Sequence, residues 1–451
     1  MSAEPASNTA ELLIDGHEIL PAVLEDLRAA RSTVHISVFL WFRDPIGEEL
    51  ADLLIQKARE GVSCRVLLNV DKTGMGDPFS TGEKEMMEHD PSVTHDPLDV
   101  KPMCQRLIDA GVQVVNTNID YDKVIHAADP RLVSLAAQIN GAIAIDELHI
   151  DHRKLVLIDA RVAYCGGANI GAQYLYHDAF DPHLDARVEG EQRQRAGLPE
   201  PWWKWHDSWT RFEGPVTREL ETYFHERFVL DGGTDYQLAH GASTSPLPAR
   251  PGAFHIGQGP GRVEVHANQP DDQPNAVREL YLRMIRGAVR SIFIENPYFY
   301  HPDLVTALCE AKRSRPELDI TLVLTAATWN DNSFAHDAQQ YWYASLLEQG
   351  VNVYEYQNHF NHLKMAVFDE RWSIHGSTNG NYRSLENDKD FELVVLVDDE
   401  PFAQNILQRV MAVDVPRSQR ITAEAVHDAL GGFRIRNRDP RTLLLISRAS
   451  L

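Results

Sequence analysis

Lysine is scarce in this chain: ten residues in 451, against 33 arginines, and Lys and Arg together number 43 against 66 Asp and Glu, a formal charge of −23. Non-specific affinity for a polyanion comes from Lys and Arg neutralising phosphates, so this balance disfavours a nucleic-acid partner and gives no net attraction to an anionic lipid surface either. There are four cysteines, Cys64, Cys104, Cys165 and Cys309, with no CxxC pair and no His at ligand spacing. They are expected to be buried thiols in a reducing compartment, without disulfides or structural zinc. No run of about 18 apolar residues occurs, so no spanning helix is expected. The start, MSAEPASNTAELL, lacks the basic and apolar segments of a signal peptide. The expectation is a cytoplasmic protein that touches the inner face of a membrane only peripherally. No His/Asp/Glu cluster has convincing metal spacing, and HIDH at 149–152 reads better as a motif flank, so neither a metal nor a cofactor is expected. Nothing points to an obligate protein partner.

What is there is a motif written twice. His152-x-Lys154-x4-Asp159 is followed by Gly166, Gly167 and Asn169, and His362-x-Lys364-x4-Asp369 by Gly376, Ser377 and Asn379. Every matched position is offset by 210, as in 362 − 152 and 379 − 169. With so few lysines, a Lys in both copies is not an accident of composition.

The flanking segments repeat as well. TVHISVFLWFRD, EELADLLIQKAREG and VSCRVLLNV read as strand, helix and strand, and SIFIENPYF, LVTALCEAKRSRPE and LDITLVLTA repeat that order. The sequence therefore predicts an α/β fold of two pseudo-symmetric halves, each a mixed sheet flanked by helices, with one site at their interface. The expected boundaries are a first domain over 10–231, a Gly- and Pro-rich linker over 232–261, a second domain over 262–415 and a tail over 416–451. Polar insertions are expected at 71–98 and near 116–148 of the first half, the former as a loop near the site.

HIDHRKLVLID and HFNHLKMAVFD have strand character, and side chains two apart on a strand share a face. His152 and Lys154 are thus expected to project together, and so are His362 and Lys364. Asp159 and Asp369 fall on the opposite face and read as structural. Gly167 and Ser377 remove bulk where a ligand approaches the backbone, and Asn169 and Asn379 offer amide donors, so two Lys and two Asn can cradle one phosphate. Two imidazoles facing one phosphodiester suit a two-step displacement, one attacking phosphorus and the other protonating the leaving alcohol. The lysines supply the positive charge.

In these motifs, and in WHDSWTRFEGPVTRELETYF, ENPYFYHPDLVTAL and GSTNGNYRSLENDKDFELVV, the chain resembles the phospholipase D superfamily, and more narrowly the bacterial cardiolipin synthases and related phosphatidyltransferases. The resemblance covers most of residues 10–410. It implies a phosphatidyl group held on one His, the nucleophile at His152 with His362 as general acid and base, and transfer to an alcohol acceptor such as the glycerol end of phosphatidylglycerol. It implies further that an acidic residue after each motif orients its His, at Asp207 and Glu392. The alternative is hydrolysis of phospholipids by the same chemistry, and a nuclease is disfavoured by the acidic balance. For transient contact with a membrane surface, the one locally basic segment is FRIRNRDPRTLLLISR, which reads slightly better as a packed terminus. Trp202, Trp203, Trp205 and Trp209 read as core rather than as an interfacial cluster.

Overall fold

The computed structural model describes residues 7–70, 99–117, 150–196, 203–238, 250–257, 262–268, 274–330, 333–386 and 390–424. The insertions expected at 71–98 and 116–148 and the basic C-terminal segment lie almost wholly outside the described residues, and so does Trp202.

Two eight-stranded sheets repeat one plan. The first half supplies β1 (Asn8–Ile14), β2 (Thr33–Val38), β3 (Ser63–Leu68), β4 (Gln113–Asn116), β5 (Leu155–Ile158), β6 (Val162–Gly166), β7 (Ser208–Glu213) and β8 (Phe254–Ile256). The second supplies β9 (Val263–Asn268), β10 (Ser291–Glu295), β11 (Asp319–Thr325), β12 (Asn352–Tyr356), β13 (Met365–Phe368), β14 (Trp372–Gly376), β15 (Glu392–Asp398) and β16 (Ser418–Arg420). The orders are β4-β3-β2-β5-β6-β7-β1-β8 and β16-β12-β11-β10-β13-β14-β15-β9. The run β4-β3-β2-β5-β6-β7-β1 thus matches β12-β11-β10-β13-β14-β15-β9, and each sheet adds one edge strand of its own. In both, three parallel strands joined by helices meet an antiparallel meander.

The helices that join the parallel strands begin on local signals. Helix Pro45–Arg59 has Pro45 in its first turn, and the Asp44 carboxylate accepts from Gly47 N at 2.8 Å, which satisfies one of the amides left open at a helix start. Helix Pro302–Ser314 repeats the device with His301 accepting from Asp303 N. Both bury one apolar face, Ile46, Leu50 and Leu54 in the first case and Leu304, Leu308 and Ala311 in the second.

The central strands are buried on both sides, and their period of two assigns each residue to a layer. In β5, Val156 and Ile158 face the helices of the first half, while Leu155 and Leu157 enter an apolar layer shared by both sheets. In β13, Ala366 and Phe368 face the second half's helices, and Met365 and Val367 enter the same shared layer. Phe212, Phe293, Val367 and Val395 pack there, so the halves are joined by core. Trp205 and Trp209 are core residues too. The four cysteines are free and buried.

Two boundaries differ from those expected from the sequence. Residues 254–256, expected within a linker, form edge strand β8 paired to β1, and residues 418–420, expected in a tail, form β16 paired to β12. Gly and Pro mark where a chain turns but do not show that the stretch between them finds an open sheet edge.

Candidate active site

The motif histidines do not lie on the strands that follow them. β5 and β13 begin at Leu155 and Met365, after the His and Lys of each motif. The residues before each strand leave their own sheet to bridge the other half. Asp151 pairs with Phe391 and His206 with Asn361; His152 N donates to Phe391 O at 3.0 Å, and His362 N donates to His206 O at 2.7 Å. Each motif is thereby tied to the residue just ahead of the opposite half's acidic residue.

The side chains follow that crossing. His152 Nδ1 lies 2.9 Å from Glu392 Oε1, and His362 Nδ1 lies 2.6 Å from Asp207 Oδ2. The expectation that each acidic residue orients the His of its own motif is therefore corrected: each serves the His of the other half. Sequence order suggested the nearer partner, but the backbone bridges set the register across the interface.

The two carboxylates differ in their surroundings. Glu392 also accepts from Ser384 Oγ at 2.6 Å and from Ser377 Oγ. Burial alone would push its carboxyl up, but the charge and hydrogen bond of His152, with Lys154 and Ser377, hold it below the usual range. Asp207 has no hydroxyl partner among the described residues and accepts from Ser208 N at 2.7 Å, and burial, opposed by Lys364, pushes it up to about 7. Gly167 occupies the position equivalent to Ser377. A Cβ on Gly167 would stand 2.4 Å from Asp207 Oδ1, so this glycine makes room for the carboxylate rather than for a ligand, and the Ser377 hydroxyl is committed to Glu392.

Both lysines are almost fully enclosed. Lys154 Nζ donates to His152 O at 2.6 Å, and Lys364 Nζ donates to His362 O and to His362 Nε2, each at 2.9 Å. Burial lowers Lys154 to about 7 against the pull of Glu392. Burial, and then the facing lysines, lower both histidines, His362 furthest. Lys154 and His152 both act on His362, so the four basic groups form a single electrostatic unit across the interface.

His362 is walled by Tyr174, Trp205 and Phe360, with ring centroids at 5.5, 5.3 and 5.7 Å. His152 has Phe39 at 5.6 Å and is the more open of the two, its side chain 13% exposed against 7%. Its Nε2 has no hydrogen-bond partner among the described residues.

Asn169 is not positioned as a donor to phosphate. Its Oδ1 accepts from Leu40 N at 3.2 Å and its Nδ2 donates to Tyr174 OH at 3.1 Å, which holds the Tyr174 ring beside His362. Asn379 differs, since its buried Oδ1 finds no partner among the described residues. Asp159 and Asp369 face away from the histidines. Asp159 takes Arg31 N, Ser32 N, Ser32 Oγ and Thr33 N at 2.7–2.9 Å, and Asp369 takes Val289 N, Arg290 N and Ser291 N. Both adopt a left-handed backbone, φ 55° and 51°, at the turn after the motif strand. Residues that sequence reasoning missed are Ser384, Tyr174 and Phe360. Arg-Ser-Leu at 383–385 was visible, but nothing showed that its serine reaches Glu392.

An arrangement of two imidazoles, each backed by a carboxylate, with two enclosed lysines, can bind a phosphodiester, form a bond from nitrogen to phosphorus and move one proton to and from oxygen. The profile described as "Cardiolipin synthase, PLD-like domain" matches residues 23–179 and 281–412, one segment in each half. The chain is 23% identical over 421 residues to a cardiolipin synthase of Listeria welshimeri, and 26% identical over 417 residues to the major cardiolipin synthase of Bacillus subtilis. Each alignment covers 92% of this chain and 71% of the relative. In fold, it superposes on the crystal structure of phosphatidylserine synthase from Haemophilus influenzae with a TM-score of 0.60, at 14% identity, over 97% of this chain and 95% of that one.

Proposed function

The chain belongs to the cardiolipin synthase family of phospholipase D-like domains, and from that membership and the crossed His-carboxylate pairs we propose that it moves a phosphatidyl group to an alcohol through a phosphohistidine on His152. It is a phosphatidyltransferase acting on phospholipid.

In the first step His152 Nε2 attacks phosphorus, a bond from nitrogen to phosphorus forms, and the bond from phosphorus to the head-group oxygen breaks. The leaving oxygen takes a proton from His362 Nε2. Glu392, held ionised, stabilises the cationic imidazole that this step creates. In the second step His362 takes the proton of the acceptor hydroxyl, whose oxygen attacks phosphorus, and the bond to His152 breaks. Lys154 and Lys364 neutralise the phosphoryl oxygens throughout. In the resting site burial, and then the facing lysines, disfavour a charged His362. An arriving phosphodiester anion offsets that repulsion and draws Lys364 from Nε2, which takes up a proton from solvent; Asp207, 2.6 Å from Nδ1, stabilises the charged ring, and the proton taken up on binding is the one the leaving oxygen receives.

The observation that carries the role assignment is the asymmetry. His152 is more open, has no partner for Nε2 among the described residues and is backed by an ionised carboxylate, whereas His362 Nε2 is engaged by Lys364 and its carboxylate sits near its titration point. The cardiolipin synthases among the relatives support an alcohol acceptor over hydrolysis. Phosphatidylglycerol as both donor and acceptor is part of the same proposal, supported by the cardiolipin synthases among the relatives. Among the described residues no helix is long and apolar enough to cross a membrane, and a peripheral position on the inner face is part of the same proposal.

A diester with a p-nitrophenyl leaving group tests the roles, because nitrophenolate departs without a proton. His362→Ala should retain a first-step burst on it and lose turnover, while His152→Ala should lose both. A burst in His152→Ala, with none in His362→Ala, would reverse the assignment.

A further inference from the structure

One residue before Asp207, His206 is buried between acidic groups drawn from both halves. Its Nδ1 lies 2.7 Å from Asp15 Oδ1, at the end of β1, and its Nε2 lies 3.1 Å from Asp414 Oδ2, beyond β15. Tyr356, the last residue of β12, stacks on the ring at 5.0 Å and 9°. Glu295 ends β10 and is fully enclosed. A ring nitrogen of His206 and one carboxylate oxygen each from Glu295 and Asp414 lie within 4.8 Å of one another.

These groups are not satisfied by the described residues around them. Glu295 Oε1 accepts from Asn361 Nδ2 at 2.9 Å, but Glu295 Oε2, Asp414 Oδ1 and the Tyr356 hydroxyl have no hydrogen-bond partner among the described residues. Arg417 reaches Asp414 Oδ1 only to 3.8 Å. Among the described residues, the three carboxylates of Asp15, Glu295 and Asp414 face two groups that can be positive, His206 and Arg417, and an uncompensated buried carboxylate is costly. Oxygen and nitrogen ligands held about 2.0–2.2 Å from one ion stand up to about 4.4 Å apart, which is the scale of this gap.

The outer contact also suits an ion. A ligating imidazole usually gives its second N–H to a carboxylate, which fixes the tautomer that leaves the other nitrogen as a donor to metal. Asp15 holds His206 Nδ1 in that way. We propose that His206, Glu295 and Asp414 form a buried divalent metal site of the zinc or manganese class, which fastens the two halves behind the reacting histidines. One imidazole with two carboxylates suits those ions better than calcium, which prefers six or more oxygens. The ion touches no reacting atom. It holds His206, whose carbonyl accepts from His362 N, and through Asp15, which also accepts from Asp207 N at 3.2 Å, it steadies the carboxylate behind His362.

Spacing along the chain gives no sign of this site, because its ligands come from three distant segments.

The test is metal content. The full chain, purified by a route free of metal resin and chelator, is dialysed separately against Zn2+, Mn2+, Ca2+ and Mg2+, desalted and assayed by plasma mass spectrometry. The expected result is about one Zn2+ or Mn2+ per chain, with affinity falling at least about 10-fold in Glu295→Gln and in Asp414→Asn. Saturating Zn2+ should raise the wild-type unfolding midpoint by about 3–5 °C at about 100-fold excess over its dissociation constant, reversibly with EDTA. Loading with Co2+ gives a check that needs no variant: weak visible bands without thiolate charge transfer. Folded wild-type protein that takes up neither Zn2+ nor Mn2+ would overturn the proposal, and so would loading by Ca2+ alone, stoichiometric binding that survives the double variant, or a thiolate band placing the ion on a cysteine.

Discussion

Replacing Glu392 by Gln removes one negative charge and leaves the shape of the side chain almost unchanged. In the folded protein this carboxylate is fully enclosed and receives His152 Nδ1 at 2.9 Å, Ser384 Oγ at 2.6 Å and Ser377 Oγ. In the proposed first step, attack by His152 on phosphorus would place a full positive charge on its imidazole, about 4 Å from the carboxylate centre. At an effective dielectric constant of about 20 such a pair is worth about 4 kcal/mol, and the loss of a charged hydrogen bond alone about 2 kcal/mol. The first step should therefore slow by about 30- to 1,000-fold. Ser384→Ala removes one of three contacts to the same carboxylate and should slow it only about 5-fold. Stopped-flow burst kinetics with a p-nitrophenyl diester read that step directly. Because the pairing is crossed, Glu392→Gln, a change in the second half, should suppress the burst that depends on His152. Asp207→Asn, a change in the first half, should spare the burst and slow turnover. A normal burst in Glu392→Gln, with suppression in Asp207→Asn, would refute the crossed assignment.

Further outcomes follow from the same contacts. His152→Ala and His362→Ala should each lower turnover of natural lipid by about 100- to 10,000-fold while circular dichroism stays that of the folded protein. Gly167→Ala drives a Cβ into Asp207 Oδ1 and should cost about 1–3 kcal/mol by denaturant titration together with a fall in kcat, and unchanged stability and kcat would contradict the packing described. Asp159→Ala frees the backbone amides that its carboxylate holds and should lower stability by about 2–4 kcal/mol, with kcat/KM of the folded fraction little changed. Lys154, lowered to about 7, is mostly uncharged at pH 8, and an anion favours its charged form. Tungstate binding at pH 8 should therefore take up a proton and weaken as pH rises above about 7, which calorimetry in buffers of different ionisation enthalpy would show.

The duplication was legible because the same His, Lys and Asp recur with the same Gly and Asn behind them, and an offset of 210 leaves little freedom in reading it. The strands were legible because both faces of β5 and β13 are buried, giving short apolar runs bounded by the motif and a turn. Less legible was everything set by contact between the halves. Nothing local in WHDSW or DFELVV says that Asp207 belongs to His362 and Glu392 to His152, because that pairing is fixed by the bridges of Asp151 to Phe391 and His206 to Asn361. Asn169 was expected at phosphate from its type and place, yet an amide can equally hold a loop, and Tyr174 with Leu40 takes both its ends. Edge strands β8 and β16 escaped notice because three-residue strands carry almost no pattern.

Transfer of a phosphatidyl group to an alcohol at a single two-histidine site is read from the identity of the products. Purified protein is given phosphatidylglycerol in mixed vesicles with isotopically labelled glycerol, and the lipids are identified by mass spectrometry. The expected products are cardiolipin with release of glycerol and labelled phosphatidylglycerol from exchange, both lost in His152→Ala and in His362→Ala. Phosphatidic acid as the sole product despite abundant alcohol, or transfer that persists in either variant, would contradict that expectation.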